Sequence, residues 1–98
     1  MQGIQYRFEA NLWKHEAPGG WHFVTLPDEF SVEIRENLKW QEQGWGRMKA
    51  NAEIDGQRWD TAIWFDTKRK AYLLPVKSTM RDQLGLQVNT SVRVAIRI

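Results

Sequence analysis

The sequence of 98 residues contains no cysteine and only two histidines, His15 and His22. The absence of cysteine excludes disulfide bonds, thiolate metal ligands and a cysteine nucleophile. Two histidines alone leave little material for a metal site. The composition therefore predicts a chain without a metal centre and without a cofactor.

Long apolar runs and targeting signals are also missing. No segment approaches the roughly 18 apolar residues that a membrane-spanning helix needs. The first ten residues, MQGIQYRFEA, lack the basic start, apolar stretch and cleavage site of a secretory signal. We therefore expect a cytoplasmic protein that does not span a membrane. Because a chain of this length has material for one compact core, residues 1–98 are expected to form a single domain.

The sequence lacks the patterns that support catalysis. No serine or threonine has the flanking motif of an activated nucleophile, and neither a glycine-rich phosphate loop nor a dinucleotide fingerprint is present. Glu29, Glu33 and Glu36 fall on the polar face of a predicted helix, where solvent is their expected environment. We expect a protein that is not an enzyme, with a hydrolase as a less favoured alternative.

Tryptophan is the residue type in unusual excess, with six in the chain. Its large apolar ring with one donor serves equally as a core filler or as a stacking surface for sugars, bases or another protein. The net charge is +2 and the pI is about 9.2. Such a mildly basic balance does not by itself predict a nucleic-acid partner.

Six short segments are typical of β-strands, because apolar residues alternate with polar ones or form short β-branched and aromatic runs. The first two flank the turn signal EAPGG and are expected to pair as a hairpin. Asp55-Gly56 predicts a type I′ turn between the third and fourth strands. The predicted strands are 4–12, Trp21–Leu26, Arg47–Ile54, Gln57–Phe65, Ala71–Val76 and Ser91–Ile98.

A first short helix is predicted after Pro27. Phe30, Ile34 and Leu38 recur every four residues with polar residues between them, which is typical of an amphipathic helix. We expect the side chain of Asp28 or Ser31 to cap its N-terminus.

A second short helix is predicted over Ser78–Leu84, capped by Ser78 and ended by Gly85. Six short strands and two short helices in one small domain predict a mainly β fold. We expect a six-stranded split β-barrel with two short α-helices, since closing a sheet removes its exposed edges.

Short motifs follow one another in a specific order along the chain. They are LP at 26–27, GWGRMK at 44–49, IDG at 54–56, W-x-T at 59–61, YLLPVK at 72–77 and R-x-x-L-G-L at 81–86. Their order and spacing resemble the bacterial domain-of-unknown-function family 1905. The resemblance implies a small double-split β-barrel, the architecture of the AbrB and MazE class of transcription factors. It implies no established biochemical activity.

Two positions depart from the pattern of that family. Asn89-Thr90 stands where a Gly-Asp pair usually precedes the last strand. Asparagine tolerates the left-handed conformation that such a glycine adopts, so we expect the turn to be retained. Ala62 follows Thr61 where relatives usually carry a serine, so a hydroxyl group at that position has no counterpart in this chain.

A cluster of hydroxyl groups and cations is the candidate site for a small anion. Lys77 and Arg81 lie four residues apart around the start of the second predicted helix, and a helix N-terminus with two cations suits a carboxylate or phosphate. The alternative is structural, with Lys77 paired to Asp60 or Asp82 and the stem of Arg81 packed on a tryptophan. The candidate ligand-binding residues are Thr61, Tyr72, Lys77 and Arg81.

Trp45 lies between Gly44 and Gly46, and two roles are open to it. It is either an exposed stacking platform that joins the ligand-binding residues or a plug that covers the mouth of the barrel. We favour the plug, because the two glycines permit a sharp chain reversal there.

Basic residues on outward strand faces and at a hairpin tip favour a different class of function, nucleic-acid binding. They would contact phosphates while Trp13 or Trp64 stacks on bases. Against this, acidic residues are interleaved with them, as on any solvated sheet, and the AbrB-like architecture is only an analogy. The basic residues are Arg47, Lys49, Arg58, Lys68, Arg69, Lys70, Arg93 and Arg97.

Trp13, Ala62 and Trp64 on outward strand faces raise a third possibility, an apolar interface with a protein partner or a second copy. We expect a non-catalytic binding module, monomeric or homodimeric, for a small anionic ligand or a protein partner. An AbrB-like nucleic-acid-binding protein is the alternative.

Overall fold

Six antiparallel strands close into a barrel in the computed structural model, which describes residues 3–16, 19–44 and 46–98. The strands are β1 Gln5–Lys14, β2 His22–Thr25, β3 Arg47–Ile54, β4 Gln57–Asp66, β5 Ala71–Pro75 and β6 Ser91–Arg97. Their order around the barrel is β1-β2-β5-β4-β3-β6, with β6 pairing back to β1. The prediction of a mainly β, six-stranded barrel is confirmed, and the barrel is closed.

Two α-helices complete the described part of the chain, α1 over Asp28–Leu38 and α2 over Ser78–Leu84. A single 3₁₀ turn, Lys39–Gln41, follows α1. Both predicted helices are therefore confirmed. Neither of them is long and apolar enough to cross a membrane.

Local turn chemistry fixes the register of the β3–β4 hairpin. Asp55 and Gly56 both have positive φ angles, 50° and 80°, as a type I′ turn requires. The turn pairs Ile54 with Gln57, which is the first of eight successive residue pairs along the hairpin. Asn89 has a φ angle of 68°, which confirms that asparagine retains the left-handed turn before β6.

The core lies inside the barrel and under α1. Alternate residues of β3 point inward, as the period of two demands, and Met48, Ala52 and Ile54 are buried. Ile34 from α1 joins them in one apolar cluster. Complete burial of a side chain of this size stabilises the fold by about 1.5–3 kcal/mol, so α1 is held to the barrel chiefly by its apolar stripe.

The predicted cap of α1 is wrong. Pro27 precedes the helix, and no side chain caps its N-terminus. Ser31 is buried within the helix, and its Oγ accepts a hydrogen bond from the backbone N–H of Tyr72 at 3.0 Å. The serine hydroxyl thus connects α1 to β5, because it faces the barrel and not the free amides of its own first turn.

The predicted cap of α2 is also wrong, since Lys77 precedes the helix and no side-chain cap hydrogen bond forms at that end. The predicted helix end is confirmed. Gly85 has a φ angle of 65°, and its N–H contacts the carbonyl oxygens of Arg81 and Asp82, as in a left-handed helix terminus.

Candidate functional site

An aromatic layer lies on the outer face of β1, β2, β5 and β4. Phe23 and Leu73 are buried although they lie outside the apolar cluster of the core. Trp13 and Trp21 lie on either side of Phe23, with ring centroids 5.2 and 6.1 Å from it. Trp21 also contacts Trp64, at 5.6 Å between ring centroids. The outward tryptophans therefore pack on Phe23 and, in the pair Trp21 and Trp64, on each other.

Beside this layer the surface forms a concavity of about 800 Å³. Its lining residues include two tryptophans, four cationic residues, one threonine and one aspartate, and we call it the basic cleft. The charged, aromatic and hydroxyl-bearing residues that line it are Trp21, Arg47, Lys49, Asp60, Thr61, Trp64, Lys77 and Arg97.

Strand pairing brings these residues together. Arg47 lies opposite Trp64, and Lys49 lies opposite Ala62, on the paired strands β3 and β4. Side chains at alternate positions share one face of a strand, so Trp64 and the small Ala62 fall on the same outer face. Ala62 is buried and lines the cleft. A small side chain between longer neighbours leaves this part of the barrel surface open.

The cations of the basic cleft are not neutralised within the described part of the chain. Arg47, Lys49, Lys77 and Arg97 form no ion pair or side-chain hydrogen bond with another described residue. The predicted pairing of Lys77 with Asp60 or Asp82 is therefore not found among those residues. Asp60 instead accepts a hydrogen bond from Asn51 Nδ2 at 3.1 Å. The side chains of the cleft thus carry four positive charges and one negative charge.

Arg81 lies in a neighbouring concavity of about 400 Å³, which Lys77 and Trp21 also line. Its Nη1 donates a hydrogen bond to His22 Nε2 at 3.0 Å. His22 Nδ1 lies 2.7 Å from the carbonyl oxygen of Gly20, which can only accept. Both contacts are satisfied when His22 is neutral and carries its proton on Nδ1. Arg81 Nε is buried without a partner among the described residues.

Tyr72 does not join the cleft. Its side chain is fully buried, and its hydroxyl group donates to Glu42 Oε2 at 2.8 Å. Arg35 pairs with the same carboxylate oxygen and lies 4.0 Å above the ring of Phe65. Burial, together with the hydrogen bond to Glu42, raises the pKa of Tyr72 to about 12. The structure therefore brings Thr61 and Lys77 together in the cleft and leaves Tyr72 in a polar cluster beneath α1.

The predicted nucleic-acid residues divide into two groups. Arg47, Lys49 and Arg97 line the basic cleft. The other five do not line it: Arg58, Lys68, Arg69, Lys70 and Arg93.

Two of those five are paired with carboxylates. Arg58 Nε lies 2.9 Å from Glu53. Arg69 lies 2.6 Å from Asp66 and 4.4 Å above the ring of Trp13. Lys68 and Lys70 are exposed in the turn between β4 and β5, and Arg93 lines a separate concavity of about 510 Å³. The basic residues therefore do not form one continuous footprint.

Three important side chains were not predicted as site residues. Trp21 was expected at the start of a strand, but it precedes β2 and lies over the outer aromatic layer. Trp21 precedes the outward Phe23 by two residues and therefore falls on the same face, a pattern from which its position could have been predicted. His22 is hydrogen-bonded to Arg81 and Glu42 to Tyr72, which lie 59 and 30 residues away in the sequence. A local sequence pattern cannot predict contacts between residues so far apart. Trp45 lies outside the described residues, so both roles suggested for it stay predictions.

Among the described residues no group of three or more histidine, aspartate or glutamate side chains is placed to hold a metal ion. The sequence matches a family described as Domain of unknown function (DUF1905) over residues 8–96. A search of curated proteins gave no match. Apart from Arg97, every residue named in the basic cleft falls within the matched segment.

Proposed function

Since the chain belongs to the DUF1905 family, whose description assigns no activity, we propose a function from the site itself: a binding module that takes a small anionic ligand in the basic cleft. One observation carries the proposal. Four cationic side chains converge on one concavity without a carboxylate partner among the described residues. On an ordinary solvated sheet, opposite charges across strands pair with each other, as Arg58 and Glu53 do here.

Electrostatics and size both suit a small anion. A concavity lined mainly by one sign of charge raises the local concentration of counter-ions and speeds their association. The volume of about 800 Å³ is within the range of roughly 300–1,000 Å³ that is typical of small-molecule sites. The cleft is open to solvent, so we expect binding that weakens as salt screens the charges.

The proposal is for binding without turnover. Thr61 is the hydroxyl-bearing residue among those that line the cleft, and no basic side chain of the described residues is hydrogen-bonded to it. An activated nucleophile needs such a base. Thr61 is therefore proposed as a lining residue of the binding cleft and not as a nucleophile.

Isothermal titration calorimetry with pyrophosphate at low ionic strength tests the proposal. Lys77→Ala and Lys49→Ala are each expected to weaken binding about 3- to 10-fold, since each removes one charge-assisted contact. Lys68→Ala is the matched control, because Lys68 is an exposed lysine in the β4–β5 turn and does not line the cleft. Absence of heat with pyrophosphate, or an equal loss in the Lys68 variant, would sink the proposal.

A further inference from the structure

The wall of the basic cleft is aromatic. Trp21 and Trp64 remain 51% and 39% exposed, and their rings contact each other at an angle of 47°. Trp21 is supported from one direction by Phe23, whose ring is nearly parallel to it at 11°. Both tryptophans belong to the lining of the cleft that holds the unpaired cations.

Folding alone explains only part of this arrangement. The tryptophans shield Phe23 and Leu73 from water, which stabilises the fold. About half of the accessible surface of Trp21 and two fifths of that of Trp64 still face solvent. Indole faces that are held in place by neighbouring rings offer a stacking platform for another flat ring at small entropic cost.

The cations stand next to these rings. Arg47 lies opposite Trp64 in the β3–β4 register, and Lys49 follows two residues later, about 7 Å further along the strand. Lys77 lies on the other side of β4 from Arg47 and Lys49, because it follows β5, which pairs with β4. A ligand that stacks on Trp64 would therefore carry its negative charge within reach of two or three cations.

The charge balance discriminates between kinds of anion. A single carboxylate carries one negative charge, whereas a phosphate monoester carries about −1.5 to −2 at neutral pH. Four cations and one carboxylate side chain suit the phosphate better. Asp60 is oriented by Asn51 and can only accept hydrogen bonds. It suits a sugar hydroxyl or a base amino group, and it would repel a phosphate.

We propose that the ligand of the basic cleft is a nucleotide, with its base stacked on Trp21 and Trp64 and its phosphate held by Arg47, Lys49 and Lys77. The inference rests on the proposed function, because it requires the same anion site and adds a ring to the ligand. A base joined to a phosphate occurs both in free mononucleotides and in single-stranded nucleic acid. The two sources share the recognition chemistry.

Calorimetry with two ligands that differ only in the base tests this inference. Adenosine 5′-monophosphate is expected to bind about 10-fold or more tightly than ribose 5-phosphate, in line with the strength of base–indole stacking. Trp64→Leu is expected to remove most of this advantage while changing the affinity for ribose 5-phosphate less than about twofold. Trp40→Leu is the matched control, because Trp40 is 78% exposed and does not line the cleft.

The results separate the two proposals. If ribose 5-phosphate and pyrophosphate bind and the nucleotide binds no better, the nucleotide inference is overturned and the anion site stands. If none of the three binds, both proposals fall. Equal losses of nucleotide affinity in the Trp40 and Trp64 variants would also overturn the inference.

Two further measurements complete the test. A ten-residue oligothymidylate is compared with thymidine 5′-monophosphate. Much tighter binding of the oligonucleotide, with a steep salt dependence, identifies single-stranded nucleic acid as the ligand. Equal affinity per nucleotide identifies the free nucleotide as the ligand. Trp21→Leu is measured in parallel with its thermal unfolding. If the Trp21→Leu variant is not folded, the test uses Trp64→Leu alone. That variant is expected to fold, because Trp64 lies on the exposed face of a long strand.

Discussion

Arg81 donates a hydrogen bond to the imidazole of His22 across 3.0 Å, and this contact distinguishes Arg81 from Lys77. The two cations lie four residues apart, yet only Lys77 lines the basic cleft. Arg81 holds α2 against the start of β2. We therefore propose Lys77 as a ligand-binding cation and Arg81 as part of the structure that surrounds it.

Removal of the imidazole is expected to expose the dependence of Arg81 on His22. His22→Phe should lower the free energy of unfolding by about 0.5–1.5 kcal/mol, because the part-buried Nη1 of Arg81 loses its acceptor. In the His22→Phe variant, Arg81→Met should lower the free energy of unfolding by much less than it does in the unmodified protein. The coupling energy between the two substitutions is expected to be about 0.5–3 kcal/mol. Urea unfolding of the four proteins measures the cycle. Strictly additive losses would show that the two side chains are independent.

The hydroxyl group of Ser31 is expected to matter more than that of Ser78. Ser31→Ala leaves the backbone N–H of Tyr72 without its acceptor in the core, which should cost about 1–3 kcal/mol. Ser78→Ala should change stability by less than about 0.5 kcal/mol, because Ser78 is exposed and does not cap α2. Chemical denaturation compares the two variants. A larger loss at Ser78 would restore the capping role that the sequence predicted.

Alkaline pH is expected to destabilise the fold through its two tyrosines. Burial and the hydrogen bond to Glu33 raise the pKa of Tyr6 to about 12, and Tyr72 reaches about the same value. Because both values lie above the ordinary value of 10, the folded state holds these protons more tightly than the unfolded state does. Their contribution is complete below pH 10 and is lost as the pH rises towards 12.

The expected loss is at most about 1.4 kcal/mol per pH unit for each tyrosine. Unfolding midpoints between pH 9 and 12 measure it, and Tyr6→Phe with Tyr72→Phe is the control that removes both phenols. The double variant should show a flatter dependence in this range. If stability falls equally steeply with pH in both proteins, the loss of stability at alkaline pH comes from lysine or other groups and not from the two tyrosines.

Gly44 and Gly46 provide a matched pair for the chain reversal before β3. Both have positive φ angles, 96° and 72°. A Cβ atom at Gly44 would meet nothing within 4 Å, whereas one at Gly46 would lie 3.0 Å from Phe65 Cβ. Gly44→Ala should cost about 1–3 kcal/mol from backbone strain alone, and Gly46→Ala should cost more. Thermal unfolding of the two variants ranks them, and the reverse order would contradict the contact with Phe65.

The strands and turns could be predicted because their signals are local. Alternation in β3 and β6 separates two faces, and Asp55-Gly56 specifies a hairpin without reference to the rest of the chain. The short hydroxyl of Ser31 was misjudged for the opposite reason. A serine near a helix start can bond to the helix itself or to a distant amide, and only the packing of α1 on β5 decides.

The candidate site was predictable in part. Arg47 and Lys49 follow the outward period of β3, so their exposure could be expected. Tyr72 belongs to the continuous apolar run AYLLPV, which does not reveal which residues face inward, and its proximity to Lys77 in sequence was misleading. Thr61 and Lys77 line the same cleft because β4 pairs with β5. That pairing is a property of the strand order, which no single segment encodes.

Amide chemical-shift changes on titration with adenosine 5′-monophosphate give the most direct test of the basic cleft as the binding site. We predict saturable shifts that form one contiguous group around Lys49, Thr61 and Lys77, accompanied by the indole N–H signals of Trp21 and Trp64. Saturable shifts centred on the separate concavity at Arg7 and Arg93, or shifts scattered over the surface without saturation, would contradict this assignment.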